Sequence, residues 1–233
     1  MFKKYLEYLY KRTVELNEKN IISQLEINPE AKYLDLGCND GLETIKRARV
    51  IQPKDIYGIE IIRKQAKKAE KRDINVWIGD LNKKWEYPNN YFDVITANQV
   101  IEHVSDIDHF ITEIKRVLKK GGYAIISTEN GSSWHNIFAS IMGWQIFSLT
   151  NICFKQGGIG NPLGLHRSGK ISRSISSLTH KTIFNYCGLK ETLEVYDFRV
   201  VSYLGSGYHP FFPNLGKFDA RHAHYLSIKG IKK

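Results

Sequence analysis

The sequence predicts an α/β fold in which helices cover both faces of a largely parallel sheet. Short apolar segments alternate with a helical pattern between residues 32 and 130, as expected for strands joined by helices. A glycine-rich turn follows the first apolar segment, and an acidic residue ends the second. A chain of 233 residues with 42% hydrophobic residues can fill the core of one such domain.

The first apolar segment and its turn, residues 33–41 (YLDLGCNDG), predict a buried strand that opens into a ligand site. Gly37 and Gly41 permit a sharp turn and a close approach of the backbone to a ligand, because neither has a Cβ. Glu60 ends the second segment, residues 56–61, nineteen residues after Gly41. A doubly wound fold places a ribose-binding carboxylate at this point, so we predict a nucleotide-like cofactor.

The glycine spacing indicates which kind of nucleotide is bound. Dinucleotide sites use G-x-G-x-x-G, in which the middle glycine admits a pyrophosphate. Here Cys38, Asn39 and Asp40 separate Gly37 from Gly41, so the middle glycine is missing. A cofactor without phosphate fits this turn better.

The next two strands are predicted from short apolar runs. Residues 75–78 form the third strand, which Gly79 and Asp80 close, and residues 92–97 (FDVITA) form the fourth. The stretch NQVIEHV follows the fourth strand directly. It therefore lies at the carboxyl edge of the sheet, where ligands bind in such folds.

A helix and a fifth strand complete the central part. Apolar residues recur at helical spacing from Ile107 to Leu118, and Gly121 and Gly122 predict the helix stop. Residues 123–128 form the fifth strand.

These motifs, in this order, resemble the class I S-adenosylmethionine-dependent methyltransferases, in particular the type 11 and ubiquinone-biosynthesis methyltransferases. The first motif of that family runs approximately (L/V)-D-(L/V)-G-C-G-x-G, and only Asn39 departs from it. Asparagine tolerates left-handed backbone conformations, so the turn can be kept. The resemblance covers about residues 32–130. It implies a seven-stranded Rossmann-like sheet, mostly parallel with the last strand antiparallel.

The resemblance also implies S-adenosylmethionine as the cofactor and S-adenosylhomocysteine as the product. Glu60 would accept hydrogen bonds from the ribose, and Asp80 would face the adenine amino group. The alternative for Gly37 and Gly41 is a plain strand-to-helix turn without a ligand. The alternative for Asp80 is a solvated carboxylate at the end of a strand. The predicted cofactor-binding residues are Asp35, Gly37, Cys38, Asn39, Gly41, Glu60, Ile61, Asp80, Leu81, Asn98, Gln99 and Val100.

The predicted catalytic residues are His103 and Glu102. His103 follows the fourth strand and would act as a general base toward a hydroxyl nucleophile, with Glu102 orienting it or sharing the work. In ubiquinone-pathway O-methyltransferases and small-RNA 2′-O-methyltransferases, a similar E-x-x-E-H stretch resembles a divalent-metal site. Gln99 replaces the first glutamate here, so we predict no metal. A helix-entry residue satisfied by backbone is the alternative for His103.

Residues 131–174 are predicted to form a helical lid inserted after the fifth strand. Residues 130–154 contain no Asp, Glu, Lys or Arg, whereas bulky apolar residues recur at roughly helical spacing. Polar residues interrupt the segment too often for a transmembrane helix. Such a lid favours an acceptor with an apolar body, or a shallow membrane contact through which that acceptor is reached. A simple extension of the core is the alternative.

The acceptor pocket is predicted from two loosely matching segments. His166 and Arg167 lie in one, and Tyr208 and His209 lie in GSGYHPFFP. Both segments resemble acceptor-side segments of methyltransferases of lipid or cell-surface glycan synthesis. The alternative is that these four residues pack against the lid and do not contact an acceptor.

The net charge and the cysteine content indicate which partners and which cellular compartment are favoured. The net charge of +10 and a basic helix around residues 63–72 are typical of proteins that bind nucleic acid. No RNA-binding module accompanies the charge, so nucleic acid stays an unfavoured alternative to a small-molecule or lipid- or glycan-linked acceptor. The three cysteines are odd in number and widely spaced, which favours a cytoplasmic protein, with peripheral membrane contact as an open alternative.

The whole chain is predicted to be a single methyltransferase domain. Residues 1–31 form an N-terminal helical cap over the cofactor cleft, 32–130 the cofactor core, 131–174 the lid and 175–233 the rest of the sheet. The last part is expected to hold a helix over 182–189 that ends near Gly188, and an antiparallel pair of strands over 198–204 and 222–229.

The predicted function is methyl transfer from S-adenosylmethionine to an oxygen of a small or lipid- or glycan-linked acceptor. An RNA methyltransferase and a module that binds the cofactor without catalysis are the alternatives.

Overall fold

The computed structural model describes residues 2–152, 155–164 and 179–233. The described residues contain one seven-stranded sheet with the order β3-β2-β1-β4-β5-β7-β6. Its strands are β1 (Lys32–Leu36), β2 (Asp55–Glu60), β3 (Asn75–Ile78), β4 (Phe92–Asn98), β5 (Leu118–Glu129), β6 (Phe198–Ser206) and β7 (Tyr225–Lys232).

The sheet has the predicted direction pattern. Strands β1 to β5 pair in parallel, whereas β7 lies between β5 and β6 and is antiparallel to both. The predicted doubly wound sheet with an antiparallel last strand is therefore confirmed. The strand order reverses between β1 and β4, and this reversal opens a crevice at their carboxyl ends.

Helices cover both faces of the sheet. On one face, Phe110 and Leu189 pack into the main apolar cluster; on the other, Ile21 and Ile51 pack against β1, β4 and β5. The helices are α1 (Phe2–Ser23), α2 (Leu42–Ile51), α3 (Arg63–Glu70), α4 (Ile107–Val117), α5 (Trp134–Ile141) and α6 (Tyr186–Val195). Short 3-10 turns occur at Ile101–His103, Phe147–Leu149, Pro213–Lys217 and Ala220–His222. None of the helices in the described ranges is long and apolar enough to cross a membrane.

Helix α4 begins as predicted but ends at Val117, before the predicted stop at Gly121, and β5 begins earlier than predicted. Asp106 caps α4 by accepting the His109 N–H at 2.8 Å. Leu118 is fully buried and pairs with Phe92, and an irregularity in the register between β4 and β5 follows. The chain therefore passes from α4 directly into β5, and Gly121 lies inside the strand with a positive φ of 78°.

The helix predicted over residues 182–189 is wrong in position. Helix α6 begins at Tyr186, so Gly188 lies in its first turn and not at its end. Leu189 and Leu193, one helical turn apart, are buried in the main cluster and set the inward face of α6. The last strand is also shifted, to Tyr225–Lys232, because Ala220–His222 form a 3-10 turn.

Helix α1 is tied to the sheet by polar contacts as well as by apolar ones. The Asn17 amide donates to Asn98 Oδ1 at 2.9 Å and accepts from Ser127 Oγ at 2.9 Å. Gln24 Nε2 donates to Ser227 Oγ at 2.8 Å. One turn of α1 therefore reaches the carboxyl edge of β4.

A buried ion pair joins the elements beneath the glycine turn. Arg47 donates to Asp35 Oδ1 at 3.0 Å and to Glu18 Oε2 at 2.6 Å, and the Arg47 and Asp35 side chains are 3% and 4% exposed. Thr44 Oγ1 and Thr96 Oγ1 also donate to the Asp35 carboxylate, at 2.5 and 2.6 Å. Removal of one partner would leave an uncompensated charge in the interior.

We therefore predict that Arg47→Ala lowers the free energy of unfolding by about 3–5 kcal/mol. The control is Lys46→Ala, since Lys46 pairs with Glu43 on the exposed side of the same helix and should change stability by about 0.5 kcal/mol or less. Urea unfolding followed by circular dichroism measures both. Equal stability of the two variants would contradict the assignment.

Candidate functional site

The turn after β1 has the left-handed conformation that its sequence predicts. Gly37, Asn39 and Gly41 have φ values of 69°, 48° and 81°. A Cβ on Gly37 would lie 2.8 Å from Val100 Cγ2, so only glycine fits between the turn and the segment after β4. The prediction that Asn39 tolerates a left-handed conformation is confirmed.

Glu60 lies at the mouth of this turn with its carboxylate held in place. Its Oε2 accepts the Asn39 N–H at 2.9 Å and its Oε1 accepts the Ile62 N–H at 2.7 Å. The residue is 7% exposed. Each carboxylate oxygen keeps acceptor capacity beyond one backbone donor, so Glu60 is oriented and still able to accept from a ligand. Ile61, beside it, is largely exposed.

Asp80 ends β3 at the same edge of the sheet. The Gly79 N–H donates to the Glu60 carbonyl at 3.2 Å, which keeps the two acidic residues on neighbouring strand ends. Asp80 Oδ1 accepts from the backbone and side chain of Asn82, at 2.9 and 2.8 Å. Leu81 is partly buried and packs against the main apolar cluster.

Asn98, Gln99 and Val100 follow β4 opposite the glycine turn. Gln99 has a φ of 55°, and its N–H donates to the Ser127 carbonyl at 2.8 Å. Val100 is the residue that a Cβ on Gly37 would meet. The structure thus places the glycine turn, Glu60, Asp80 and the segment after β4 at the carboxyl ends of neighbouring strands.

Two predicted cofactor residues have side chains that point into the interior. The Asp35 carboxylate accepts hydrogen bonds from Arg47, Thr44 and Thr96. It therefore stabilises the turn from the interior of the protein. The Cys38 thiol packs in a small apolar cluster, where burial raises its pKa. Asp35 and Cys38 can therefore contact a ligand only through their backbone atoms.

His103 is positioned by a backbone carbonyl. Its Nδ1 donates to the Thr179 carbonyl at 3.2 Å, because a carbonyl can only accept, and Nε2 is left as the acceptor. Burial, and then the neighbouring His180, lower the pKa of His103 to about 4. The ring is neutral at neutral pH and can accept a proton, although as a weak base.

Glu102 does not have the orienting role that was expected of it. It is fully buried, and its Oε2 accepts from Thr128 Oγ1 at 3.0 Å, whereas Oε1 has no hydrogen-bond partner. Burial, and then the charge of Glu129, raise the pKa of Glu102 to about 8. The carboxyl is therefore protonated at neutral pH, and the Thr179 carbonyl is the group that orients His103.

His180 was not anticipated from the sequence. Its ring centroid lies 4.7 Å from that of His103, and its Nδ1 lies 2.5 Å from the Ser148 carbonyl. Ligand atoms of Glu102, His103 and His180 lie within 4.8 Å of one another, close enough to share an ion. Gln99 supplies no anionic oxygen to this group, and the predicted absence of a metal stays a prediction.

A second feature of this edge is an apolar cavity of about 510 Å³. It lies between α1, α5 and the segment after β6, and none of its lining residues is Asp, Glu, Lys or Arg. The lining residues are Leu6, Tyr10, Trp134, His135, Phe138, Phe147, Leu163, His209, Pro210, Phe211 and His224.

The cavity contains one of the predicted acceptor-pocket residues and several residues of the expected lid. Trp134 and Phe138 of the expected lid line it, as does His209. Tyr208 does not; its hydroxyl accepts from Trp134 Nε1 at 2.7 Å and donates to Asp219 Oδ2 at 2.6 Å. The predicted residues at positions 166 and 167 lie outside the described residues.

Sequence reasoning missed His135 and His224 in this cavity. The available signal was the spacing of His222 and His224 at the start of a predicted strand, since residues two apart in an extended segment face the same side; the 3-10 turn at Ala220–His222 places His222 outside the cavity lining instead. His135 and His180 carried no such signal, because nothing local places them near other histidines.

The sheet order, the left-handed glycine turn and the two strand-end carboxylates together define the class I S-adenosylmethionine-dependent methyltransferases. A family model described as "Methyltransferase domain" matches residues 2–203. The chain belongs to this family, which confirms the predicted class and its cofactor.

Curated relatives resemble part of the chain. The ubiquinone biosynthesis O-methyltransferase of Pelagibacter ubique (strain HTCC1062) is 29% identical over 134 residues, which is 53% of this chain and 55% of that protein. The chain thus spans about half the length of the curated relatives it matches.

Solved structures resemble the whole fold. An S-adenosylmethionine-dependent methyltransferase from Thermotoga maritima superposes with a TM-score of 0.62 at 17% identity, covering 100% of this chain and 98% of that one. Geranyl diphosphate C-methyltransferase from Streptomyces coelicolor A3(2), solved with Mg²⁺, geranyl diphosphate and S-adenosyl-L-homocysteine, superposes with a TM-score of 0.57 at 12% identity, covering 94% of this chain and 80% of that one.

The buried Glu102 carboxyl yields a pH prediction. A carboxyl whose pKa is raised to about 8 on folding contributes stability that is complete below its unfolded pKa and is lost as pH rises toward 8. The free energy of unfolding of Glu102→Gln relative to wild type should therefore rise between pH 5 and pH 8, by on the order of 3 kcal/mol. Urea unfolding of both proteins across this range measures it. A pH-independent difference would show that Glu102 is ionised in the folded protein.

Proposed function

We propose that this protein transfers the methyl group of S-adenosylmethionine to an oxygen of a small or lipid- or glycan-linked acceptor whose apolar body occupies the cavity. The observation that carries the proposal is the uncharged aromatic cavity of about 510 Å³ at the carboxyl edge of the sheet. Cavities of this size with apolar walls suit small organic ligands.

The crevice residues fit the cofactor. Gly37, where a Cβ would collide with Val100, lets the backbone of the turn approach the segment after β4 closely, and the oriented Glu60 carboxylate suits a ribose diol. Asp80, on the next strand end, suits the adenine amino group. When bound, the cofactor supplies a methyl group already activated by a sulfonium.

The work left to the chain is to position the acceptor and exclude water. Holding the reacting groups in line can lower the activation free energy by about 7–11 kcal/mol. The aromatic residues of α5 and the N-terminal part of α1, which line the cavity, would keep water away from an apolar acceptor.

His103 would take the proton of the acceptor hydroxyl at Nε2, since its Nδ1 is engaged by Thr179. A base whose pKa is near 4 assists an acidic hydroxyl better than an aliphatic alcohol, because proton transfer is then less uphill. Phenols, with pKa near 10, and enols are therefore the favoured acceptors within this proposal.

The relatives support oxygen as the methylated atom, because a ubiquinone biosynthesis O-methyltransferase is among them. Cytoplasmic location remains part of the proposal, supported by the spacing of the cysteines.

The test is incubation of the protein with radiolabelled methyl donor and separate lipid, glycan, small-molecule, RNA and protein fractions of a cell extract. Label in the lipid, glycan or small-molecule fraction supports the proposal. Label in RNA would make the chain an RNA methyltransferase, and label in no fraction would favour a non-catalytic binding module.

Glu60→Ala should weaken S-adenosylhomocysteine binding about 100-fold, because charge-assisted hydrogen bonds contribute roughly 1.5–3 kcal/mol each. Isothermal titration calorimetry measures the affinity. Glu70→Ala, at the end of α3, is the matched control and should bind as wild type. Unchanged affinity in Glu60→Ala would remove this residue from the cofactor site.

Leu6→Trp should reduce methyl transfer to the labelled acceptor at least about tenfold, since the larger ring fills cavity volume that the acceptor needs. S-adenosylhomocysteine affinity should stay at the wild-type value. Val195→Trp, on the exposed end of α6, controls for the added ring. Full activity in Leu6→Trp would place the acceptor elsewhere.

A further inference from the structure

Three histidines from separate segments meet at the wall of the apolar cavity. His135 belongs to α5, His209 follows β6 and His224 precedes β7. Their ring centroids lie 4.4 Å (His135 to His224), 4.7 Å (His209 to His224) and 5.5 Å (His135 to His209) apart. One ring nitrogen from each lies within 4.8 Å of the others. All three residues are more than nine-tenths buried.

The hydrogen bonds of the described residues leave this cluster unsatisfied. His224 Nδ1 and His209 Nδ1 lie 2.7 Å apart, so one of them must carry the proton between them. His135 Nδ1 is buried without a hydrogen-bond partner, and His209 Nε2 makes no hydrogen bond of good geometry, although the Leu9 backbone lies beside that ring. Burying a polar atom without a hydrogen-bond partner destabilises the folded protein. Such an atom in a cluster of three imidazoles therefore points to a ligand that binds imidazole nitrogen.

The protonation state suits a metal. Burial lowers the pKa of His135 to about 3 and that of His209 to about 4, and it also lowers the pKa of His224. All three rings are therefore neutral at neutral pH, which is the form that ligates metals.

We propose that His135, His209 and His224 bind one divalent transition-metal ion of the zinc class, with a fourth coordination position that faces the apolar cavity. Three imidazoles with one open position are an established donor set for zinc. Mg²⁺ and Ca²⁺ prefer oxygen ligands, and this cluster offers them none. The inference does not depend on the proposed methyl transfer.

The ion would lie between His209 Nδ1 and His224 Nδ1, and the proton now between these atoms would move to Nε2 of the ring that carries it, so that all three ligands stay neutral. Tetrahedral zinc holds its nitrogen ligands about 3.4 Å apart, so the two rings would separate slightly from their 2.7 Å contact. The backbone keeps their segments together, since the His224 N–H donates to the Gly207 carbonyl at 3.0 Å. Ser133 Oγ lies 3.4 Å from His135 Nε2 and can orient that ring from the outside, as second-shell partners do.

The charge of the site indicates what would fill the fourth position. Three neutral ligands leave the ion with both positive charges, and no Asp, Glu, Lys or Arg is among the cavity-lining residues. An anionic oxygen would be favoured there, because the apolar surroundings strengthen its attraction to the ion. The cavity would therefore take an apolar molecule that carries an ionised oxygen, such as a phenolate, an enolate or a carboxylate.

The test is a titration of metal-free, tag-free protein with Co²⁺, which reports tetrahedral nitrogen coordination by its visible absorption, followed by competition with Zn²⁺. We expect one Co²⁺ per chain with intense tetrahedral bands that Zn²⁺ abolishes. His135→Ala and His224→Ala should weaken binding by more than the roughly 10- to 100-fold that loss of an outer-shell partner causes.

The matched controls are His180→Ala, in the neighbouring Glu102 group, and His222→Ala, whose ring stacks on Trp134 outside the cluster. Both should bind Co²⁺ as wild type. Loss of binding in His180→Ala with retention in His135→Ala would assign the ion to the other group and overturn the inference. Absence of tetrahedral absorption in the wild-type protein would overturn it without any variant.

S-adenosylhomocysteine calorimetry on each variant shows whether the fold is kept. His135→Asn, which is closer in size, replaces His135→Ala if the latter does not bind the product. Metal binding without methyl transfer would support this inference and refute the proposed function. Methyl transfer without metal binding would support the proposed function and refute this inference.

Discussion

The buried pairing of Asp35 with Arg47 is the interaction on which the cofactor edge depends. Asp35 lies on β1 and Arg47 on α2, while Thr96 of β4 and Glu18 of α1 complete the network. Four elements thus meet below the glycine turn. Two charges in the interior are costly unless each is paired and hydrogen-bonded, so these elements can pack in only one relative arrangement. Asp35 leads directly into the glycine turn, whose Asn39 N–H donates to the Glu60 carboxylate.

The two ends of the crevice use different chemistry. At the glycine turn, backbone conformation and strand-end carboxylates present fixed polar groups, which suits a cofactor of constant structure. At the cavity, aromatic rings and neutral histidines from α1, α5 and the β6–β7 segment form the walls. Such walls select a ligand by shape and apolar surface more than by hydrogen bonds. Under the proposed function, the cofactor and the acceptor would bind at separate parts of one sheet edge.

Much of the core could be predicted because its signals are local. The apolar runs of β1 to β4, the spacing of α4 and the left-handed turn at Asn39 each follow from neighbouring residues, and the structure places them as predicted. The start of α6 could not be predicted, because Leu189 and Leu193 set its inward face only by packing on the sheet. The interior role of Asp35 was hidden for the same reason: Arg47, twelve residues later, looks like an ordinary surface arginine in the sequence.

The sequence by itself determined the class of fold, the cofactor turn and the acidic residues beside it, because glycine spacing and strand periodicity act over a few residues. Tertiary structure alone decided that Glu102 is a buried neutral acid, that Thr179 orients His103 and that three histidines share one wall of a cavity. Burial and distances between segments far apart in the chain control these properties. They arise only when the sheet brings those segments together.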